Sequence, residues 1–220
     1  MSEADRAVEE ALRQRLERER PHDAVVGEEY GVTGSGDRRW IVDPIDGTKS
    51  YVRGVPAWAT LLALEVGGET VVGVVSAPAL GRRWWASRGG GAFADGEPIH
   101  VSDVEALGDA HVCAPNEREF ERVGLGDGYR AIARACWRPA GFADFWGHVL
   151  VAEGAVDVMV EPILALWDVA AIRPIVEEAG GRVSDLTGDG WADDAPCVTT
   201  NGHVHGEVLA VLGGTAGEAP

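Results

Sequence analysis

Asp43 and Asp46 stand three residues apart in the stretch Trp40-Ile41-Val42-Asp43-Pro44-Ile45-Asp46-Gly47-Thr48-Lys49. Carboxylates this close repel unless a cation sits between them, and an all-oxygen donor set suits Mg²⁺ better than zinc. Gly47 and Thr48 follow at once. Their N–H groups, with the Thr48 hydroxyl, form a candidate anion cradle. These are the parts of a metal-assisted phosphate site. The same string also reads as an Asp-Pro turn with an Asx cap, and the stretch alone leaves both readings open. Two further acidic points stand behind apolar runs: Glu28-Glu29 after Ala24–Gly27, and Asp168 after Ala165-Leu166-Trp167. Asp168 equally suits a first-turn carboxylate favoured by the helix dipole. A fold that gathers these ends makes a site for two or three divalent cations. Such a cation lowers the pKa of a bound water towards about 7, and a second stabilises the leaving oxygen. No histidine nucleophile or phospho-enzyme is then required.

The elements that must position these residues follow from periodicity and punctuation. Ser2 caps a helix running to Arg20, with Ala4, Val8, Leu12 and Leu16 recurring every four residues and Pro21 ending it. Ala24–Gly27 reads as a buried strand and 31–39 as a glycine-rich loop. Residues 40–43 form a strand that Pro44 is expected to stop. Residues 58–66 and 70–76 pair as a hairpin about Gly67-Gly68, and 83–86 and 91–93 are further strands. Beyond residue 110 strands are expected at 111–114, 135–138, 156–160, 182–184 and 197–200, with helices at 145–153, 167–179 and 204–212. The expected organisation is one compact unit of two halves. Residues 1–110 form an N-terminal helix plus a mostly antiparallel sheet carrying the metal and phosphate motifs. Residues 111–220 form an α/β half for substrate recognition and the last metal ligand.

At 220 residues and 45% apolar, the chain can bury a substantial core. A formal charge of −17 disfavours nucleic acid as a partner, although a bound divalent cation would still admit a phosphorylated substrate. Cys113, Cys136 and Cys197 are widely spaced, which points to reduced thiols and a cytoplasmic protein. No apolar run approaches membrane-spanning length, so no membrane partner is expected. The six histidines form no H-x-x-x-H pair, and His203 and His205 read as structural.

The motifs carry a resemblance. Gly27-Glu28-Glu29, Asp43-Pro44-Ile45-Asp46-Gly47-Thr48 and Trp167-Asp168 with Glu178-Ala179-Gly180-Gly181 resemble, in order and spacing, the motifs of the Mg²⁺-dependent, lithium-sensitive inositol-monophosphatase-like phosphatases. The likeness spans nearly the whole chain. It implies an αβαβα layered sandwich of mixed α+β and α/β character, two or three Mg²⁺ per site and a homodimer. By that likeness Glu28, Asp43 and the Ile45 carbonyl hold one Mg²⁺, and Asp43, Asp46 and Asp168 a second. Glu28 helps with a weaker third, and the substrate phosphate lies on Gly47 and Thr48. Thr48 orients the attacking water with Asp5 as its partner, although Asp5 is also an ordinary first-turn helix carboxylate.

Substrate contacts are expected from the second half. Glu161, seven residues before Asp168, has the spacing of the family's substrate-contacting glutamate and otherwise reads as a solvated loop carboxylate. The string Arg138-Pro139-Ala140-Gly141-Phe142-Ala143-Asp144-Phe145-Trp146 is similar to histidinol-phosphate phosphatases of this superfamily. Arg138 and Gly141 belong to that set, the glycine admitting close backbone approach. Asp144 adds a charge suited to an ammonium group. Phe142 and Trp146 could flank a ring, while Phe145 reads as core. The resemblance therefore implies hydrolysis of histidinol phosphate in histidine biosynthesis. The alternatives are an inositol-1-phosphate or broad sugar-phosphate phosphatase, and a non-catalytic remnant that binds metal or a partner. Two departures from the family pattern are Ser50 in place of Asn, and a start at Ser2-Glu3-Ala4-Asp5 where family members carry about two further helices. The second is the ground for expecting a truncated, partly uncovered site.

Overall fold

A computed structural model of the chain describes residues 2–213. They fall into two compact units. The first takes the residues up to Pro98 together with Leu166–Glu178, and the second takes Ile99–Ala165 together with the residues from Ala179 onward. The segment carrying Asp168 therefore packs within the same unit as Asp43 and Asp46.

The first unit opens with α1 (Glu3–Glu19), capped as expected. The Ala4 N–H donates to the Ser2 hydroxyl at 3.2 Å, and the Ser2 N–H to the Asp5 carboxylate at 2.6 Å, a reciprocal capping box. The apolar row does not mark the buried face, however. Ala4, Val8, Leu12 and Leu16 are only half-buried, and the fully buried residues are Asp5 and Glu9. The helix turns its carboxylates inward because the backbone and hydroxyl donors that need them lie there.

Eight strands form one sheet: β1 (Ala24–Gly27), β2 (Gly31–Thr33), β3 (Arg38–Asp46), β4 (Ala59–Val66), β5 (Glu69–Ala77), β6 (Arg82–Ser87), β7 (Gly91–Ala94) and β8 (Glu97–Pro98), in the order β2-β1-β3-β4-β5-β6-β7-β8. Only the β1–β3 pairing is parallel, its register setting Gly27 against Val42. The β4–β5 hairpin turns through Gly67 and Gly68 at φ 60° and 86°, the left-handed pair of a type I′ turn. Residues 31–39 are not a loop throughout. Val32 and Thr33 find backbone partners on the open side of β1, where Val32 opposes Val26.

Strand β3 does not stop at Pro44. It continues to Asp46 because a bulge accommodates the proline: Asp43 pairs with Leu61 and Asp46 with Ala59, three steps along β3 against two along β4. Pro44 needs no ladder N–H there, and its carbonyl accepts the Thr60 hydroxyl at 2.8 Å. The expected helix over 167–179 is also divided, into α6 (Leu166–Ala170) and α7 (Ile172–Glu178). Pro174 lacks the N–H that would bond back to Ala170. Gly73 on β5 leaves room for this break, since a Cβ there would collide with the Ala171 carbonyl and Pro174.

In the second unit, β9 (His111–Cys113), β10 (Arg138–Ala140), β11 (Val158–Leu164), β12 (Arg182–Ser184) and β13 (Ala195–Thr200) form a sheet in the order β10-β9-β11-β13-β12. Two helices that the sequence did not reveal, α3 (Glu117–Arg122) and α4 (Gly126–Ala135), precede β10, so the strand expected over 135–138 is a helix end followed by Arg138–Ala140. Gly126 and Gly128 weaken the helical signal of α4. Packing of Ile132 with Phe120 and Leu212 overrides it. On the opposite face, Met159 and Cys113 pack with Val151 of α5 (Asp144–Ala152). The last helix, α8 (His205–Gly213), contributes Val208 and Leu212 to the first of these clusters.

Candidate metal centre

The bulge in β3 decides the site. In a regular strand, residues three apart point to opposite faces; the extra residue brings Asp43 and Asp46 to one side. Among the described residues, carboxylate oxygens of Asp43, Asp46 and Asp168 lie within 4.8 Å of one another. Asp43 is buried, while Asp46 and Asp168 are half-buried. Burial first, then the charges of Asp46, Glu28 and Asp168, hold the Asp43 carboxyl well above its ordinary pKa. One of its oxygens, Oδ1, is buried with no hydrogen-bond donor.

Glu28 stands just past Gly27, whose parallel partner is Val42, so it leaves β1 level with Asp43 on β3. Its N–H donates to the Val42 carbonyl at 3.3 Å. Glu28 as a whole is exposed and lies outside the 4.8 Å group, yet its carboxyl feels the same field. Partial burial, then Asp168, Glu29 and Asp5, raise its pKa. Four carboxylates that destabilise one another's charge, one with an orphaned oxygen, fit a hard divalent cation with oxygen ligands.

Beyond the bulge, Gly47 sits at φ 79° and begins the short helix α2 (Thr48–Arg53). The Thr48 hydroxyl lies 3.0 Å from Asp5 Oδ1 and 2.9 Å from the Ile45 carbonyl oxygen. Burial acts to raise Asp5, but hydrogen bonds from the Ser2 side chain and backbone and from Thr48 outweigh it and lower its pKa. Asp5 thus serves as helix capping residue and Thr48 partner at once.

Arg138, Gly141, Asp144 and Glu161 all lie in the second unit. Glu161 is not a solvated loop carboxylate: it sits in β11, buried, and accepts the Asp144 N–H at 2.9 Å. Asp144 adopts φ 57°, a left-handed conformation that aspartate tolerates better than most residues. The Phe142 and Trp146 rings lie 5.1 Å apart, half-buried, and Phe145 is fully buried. Arg138 and Gly141 are exposed, and a Cβ at Gly141 would meet nothing within 4 Å.

Sequence reasoning missed Glu9 and the part played by Glu178. The Glu178 carboxylate accepts the Gly89 and Gly91 N–H groups at 2.8 and 2.9 Å, tying α7 to the β6–β7 turn. Its signal was the Glu of the E-A-G-G string. Glu9 carries only the spacing of a helical residue four beyond Asp5.

The family model described as the inositol monophosphatase family matches residues 1–213. The chain belongs to the inositol monophosphatase family. It is 49% identical over 221 residues to a protein of Streptomyces coelicolor named histidinol-phosphatase, covering 96% of this chain and 83% of that one. A Mycobacterium tuberculosis protein of the same name is 49% identical over 219 residues, covering 96% and 84%. Among solved structures, the Thermotoga maritima IMPase superposes with a TM-score of 0.88 at 33% identity, over 97% of this chain and 83% of that one. The layered α+β fold expected from the family motifs is thereby established.

Proposed function

We propose that the chain is a Mg²⁺-dependent phosphomonoesterase acting on L-histidinol phosphate, releasing histidinol and phosphate. Membership of the inositol monophosphatase family makes it a metal-dependent phosphatase. The choice of substrate is carried by one observation, the 49% identity to two proteins named histidinol-phosphatase over 96% of this chain. Histidine biosynthesis, a cytoplasmic location, a homodimer and the absence of nucleic-acid or membrane partners belong to the same proposal. Among the described residues, no helix is long and apolar enough to cross a membrane.

In this reading Glu28, Asp43 and the Ile45 carbonyl hold one cation, and Asp43, Asp46 and Asp168 a second, with Glu28 contributing to a third. Mg²⁺ at such a site supplies Lewis-acid activation of water and positive charge beside the phosphate. The chain's own residues supply orientation. The Thr48 hydroxyl has one hydrogen and two acceptors within reach, Asp5 and the Ile45 carbonyl. With that hydrogen donated to Asp5, the Thr48 lone pairs can accept a hydrogen bond from the attacking water, and the water's proton can then pass to Thr48 as the Thr48 proton passes to Asp5. The Gly47 and Thr48 N–H groups, which have no partner within α2, receive the phosphate oxygens.

Asp144 is the residue that would read the substrate's amine. Glu161 holds its backbone in the left-handed conformation, which fixes where its carboxylate starts. Glu161 itself remains a candidate substrate contact. An inositol-phosphate activity is the second reading, favoured by the 33% identity to the Thermotoga maritima IMPase. A non-catalytic remnant is opposed by the convergence of Asp43, Asp46 and Asp168. The deciding experiment is phosphate release from L-histidinol phosphate and from myo-inositol 1-phosphate, each with Mg²⁺ and with EDTA. A strong, EDTA-sensitive preference for histidinol phosphate supports the proposal. Preference for the inositol ester favours the second reading, and no release from either favours the remnant.

A further inference from the structure

Glu9 lies on the inward face of α1 with no exposed surface, and none of the ligand or substrate assignments uses it. Its carboxylate accepts the Glu29 N–H at 2.8 Å and the Tyr30 N–H at 3.3 Å. Those are the amides directly after Glu28, in the turn that joins β1 to β2. Arg13, one helical turn on, donates its Nε to the same carboxylate at 2.7 Å. The Arg13 guanidinium then reaches β2, donating to the Thr33 hydroxyl at 2.8 Å and to the Gly31 carbonyl, and lies 5.9 Å from the centre of the Tyr30 ring.

Gly27 completes the arrangement. It is an ordinary extended strand residue, absent from the positive-φ positions, so its backbone conformation does not call for glycine. Space does: a Cβ on residue 27 would fall inside the Glu9 carboxyl group. The glycine of the Gly27-Glu28-Glu29 string is therefore the seat of a carboxylate from another element.

We propose that Glu9 is a positioning residue for Glu28: seated in the space Gly27 leaves open, it fixes the backbone turn from which Glu28 reaches the metal centre, and Arg13 locks that clamp onto β2. The proposal rests on the reading of Glu28 and Asp43 as metal ligands. An exposed glutamate at the end of a short strand would otherwise sample many positions, at an entropic cost to every cation bound. Residues that orient a ligand without touching the metal typically account for about 10–100-fold in metal affinity.

The test is Mn²⁺ binding to the metal-stripped protein, followed by electron paramagnetic resonance, with protection of the Glu29 and Tyr30 amides from hydrogen exchange as a second readout. Glu9→Gln keeps the volume but replaces the carboxylate that serves three donors. It should weaken Mn²⁺ about 10–100-fold and expose both amides. Gly27→Ala should do the same by displacing Glu9, and in a Glu9→Ala background it should add little further loss, because the obstruction is gone. Glu178→Gln, which loosens the β6–β7 turn of the same sheet, should lower the melting temperature and leave Mn²⁺ affinity unchanged. Asp43→Asn tests the underlying reading. If it binds Mn²⁺ like the parent, the metal assignment falls and the positioning role with it. If Asp43→Asn loses binding while Glu9→Gln and Gly27→Ala bind like the parent, Glu9 is structural only and the proposal is overturned.

Discussion

The Thr48 hydroxyl lies 3.0 Å from Asp5 Oδ1, joining the first turn of α2 to the first turn of α1 across 43 residues of chain. The hydrogen can go to Asp5 only when Ile45 does not compete for it, so the pairing serves to aim the oxygen's lone pairs. Thr48→Val should lower kcat by roughly 10²–10⁴-fold, the range of a positioned proton acceptor, with little change in the Mg²⁺ concentration for half-activity. Thr48→Ser should recover most of the rate. Steady-state kinetics at varied Mg²⁺ separates the two effects, and an equal loss for Ser and Val would remove Thr48 from the proton path.

Asp43→Asn should abolish activity and raise the stability of the metal-free protein. The substitution keeps the shape but removes a buried charge opposed by Asp46, Glu28 and Asp168. The gain expected is roughly 1 kcal/mol, the scale of relieving an unfavourable charge arrangement. Urea unfolding in EDTA checks it, and a variant less stable than the parent would mean that the acidic cluster is compensated without metal.

Asp144→Ala should weaken histidinol phosphate far more than inositol 1-phosphate. A charged hydrogen bond of about 1.5–3 kcal/mol corresponds to roughly 10–100-fold in kcat/KM. Competition between the two esters in one assay measures the ratio directly. Equal losses would mean that Asp144 does not read the amine.

The second unit should become less stable as pH falls. His148 is fully buried, its Nδ1 2.8 Å from the Thr199 hydroxyl, and burial pushes its pKa down to about 3. His205, 2.9 Å from each of the Ser184 and Thr200 hydroxyls, is pushed down to about 4 by burial and then by Arg182. Both pKa values are lower in the folded than in the unfolded chain, so the unfolded state takes up protons first. Their contribution is complete above the ordinary histidine pKa of about 6.5 and is lost progressively below it. Each should remove about 1 kcal/mol between pH 6.5 and 5.5. Urea midpoints at the two values test this, and His148→Met should reduce the slope by about half.

The acidic motifs were legible in the sequence because each is local: a strand, a turn and a carboxylate within a few residues. So were the helix cap at Ser2 and the hairpin at Gly67-Gly68. Order and spacing of the motifs, from Glu28 through Asp168 to Glu178, were enough for the family. Tertiary structure alone decided how Asp43 and Asp46 come to one side. That depends on a bulge against β4, and pairing with a strand some fifteen residues away leaves no trace in a proline that locally reads as a stop. Packing likewise overrode the apolar row of α1 and turned Asp5 and Glu9 inward. The distant donors are Thr48 for Asp5 and the Glu29 and Tyr30 amides for Glu9, and local periodicity cannot see partners about twenty to forty residues away. Gly27 shows the same limit most plainly. Its place in the motif is visible in the sequence, but the carboxylate that requires it comes from another element.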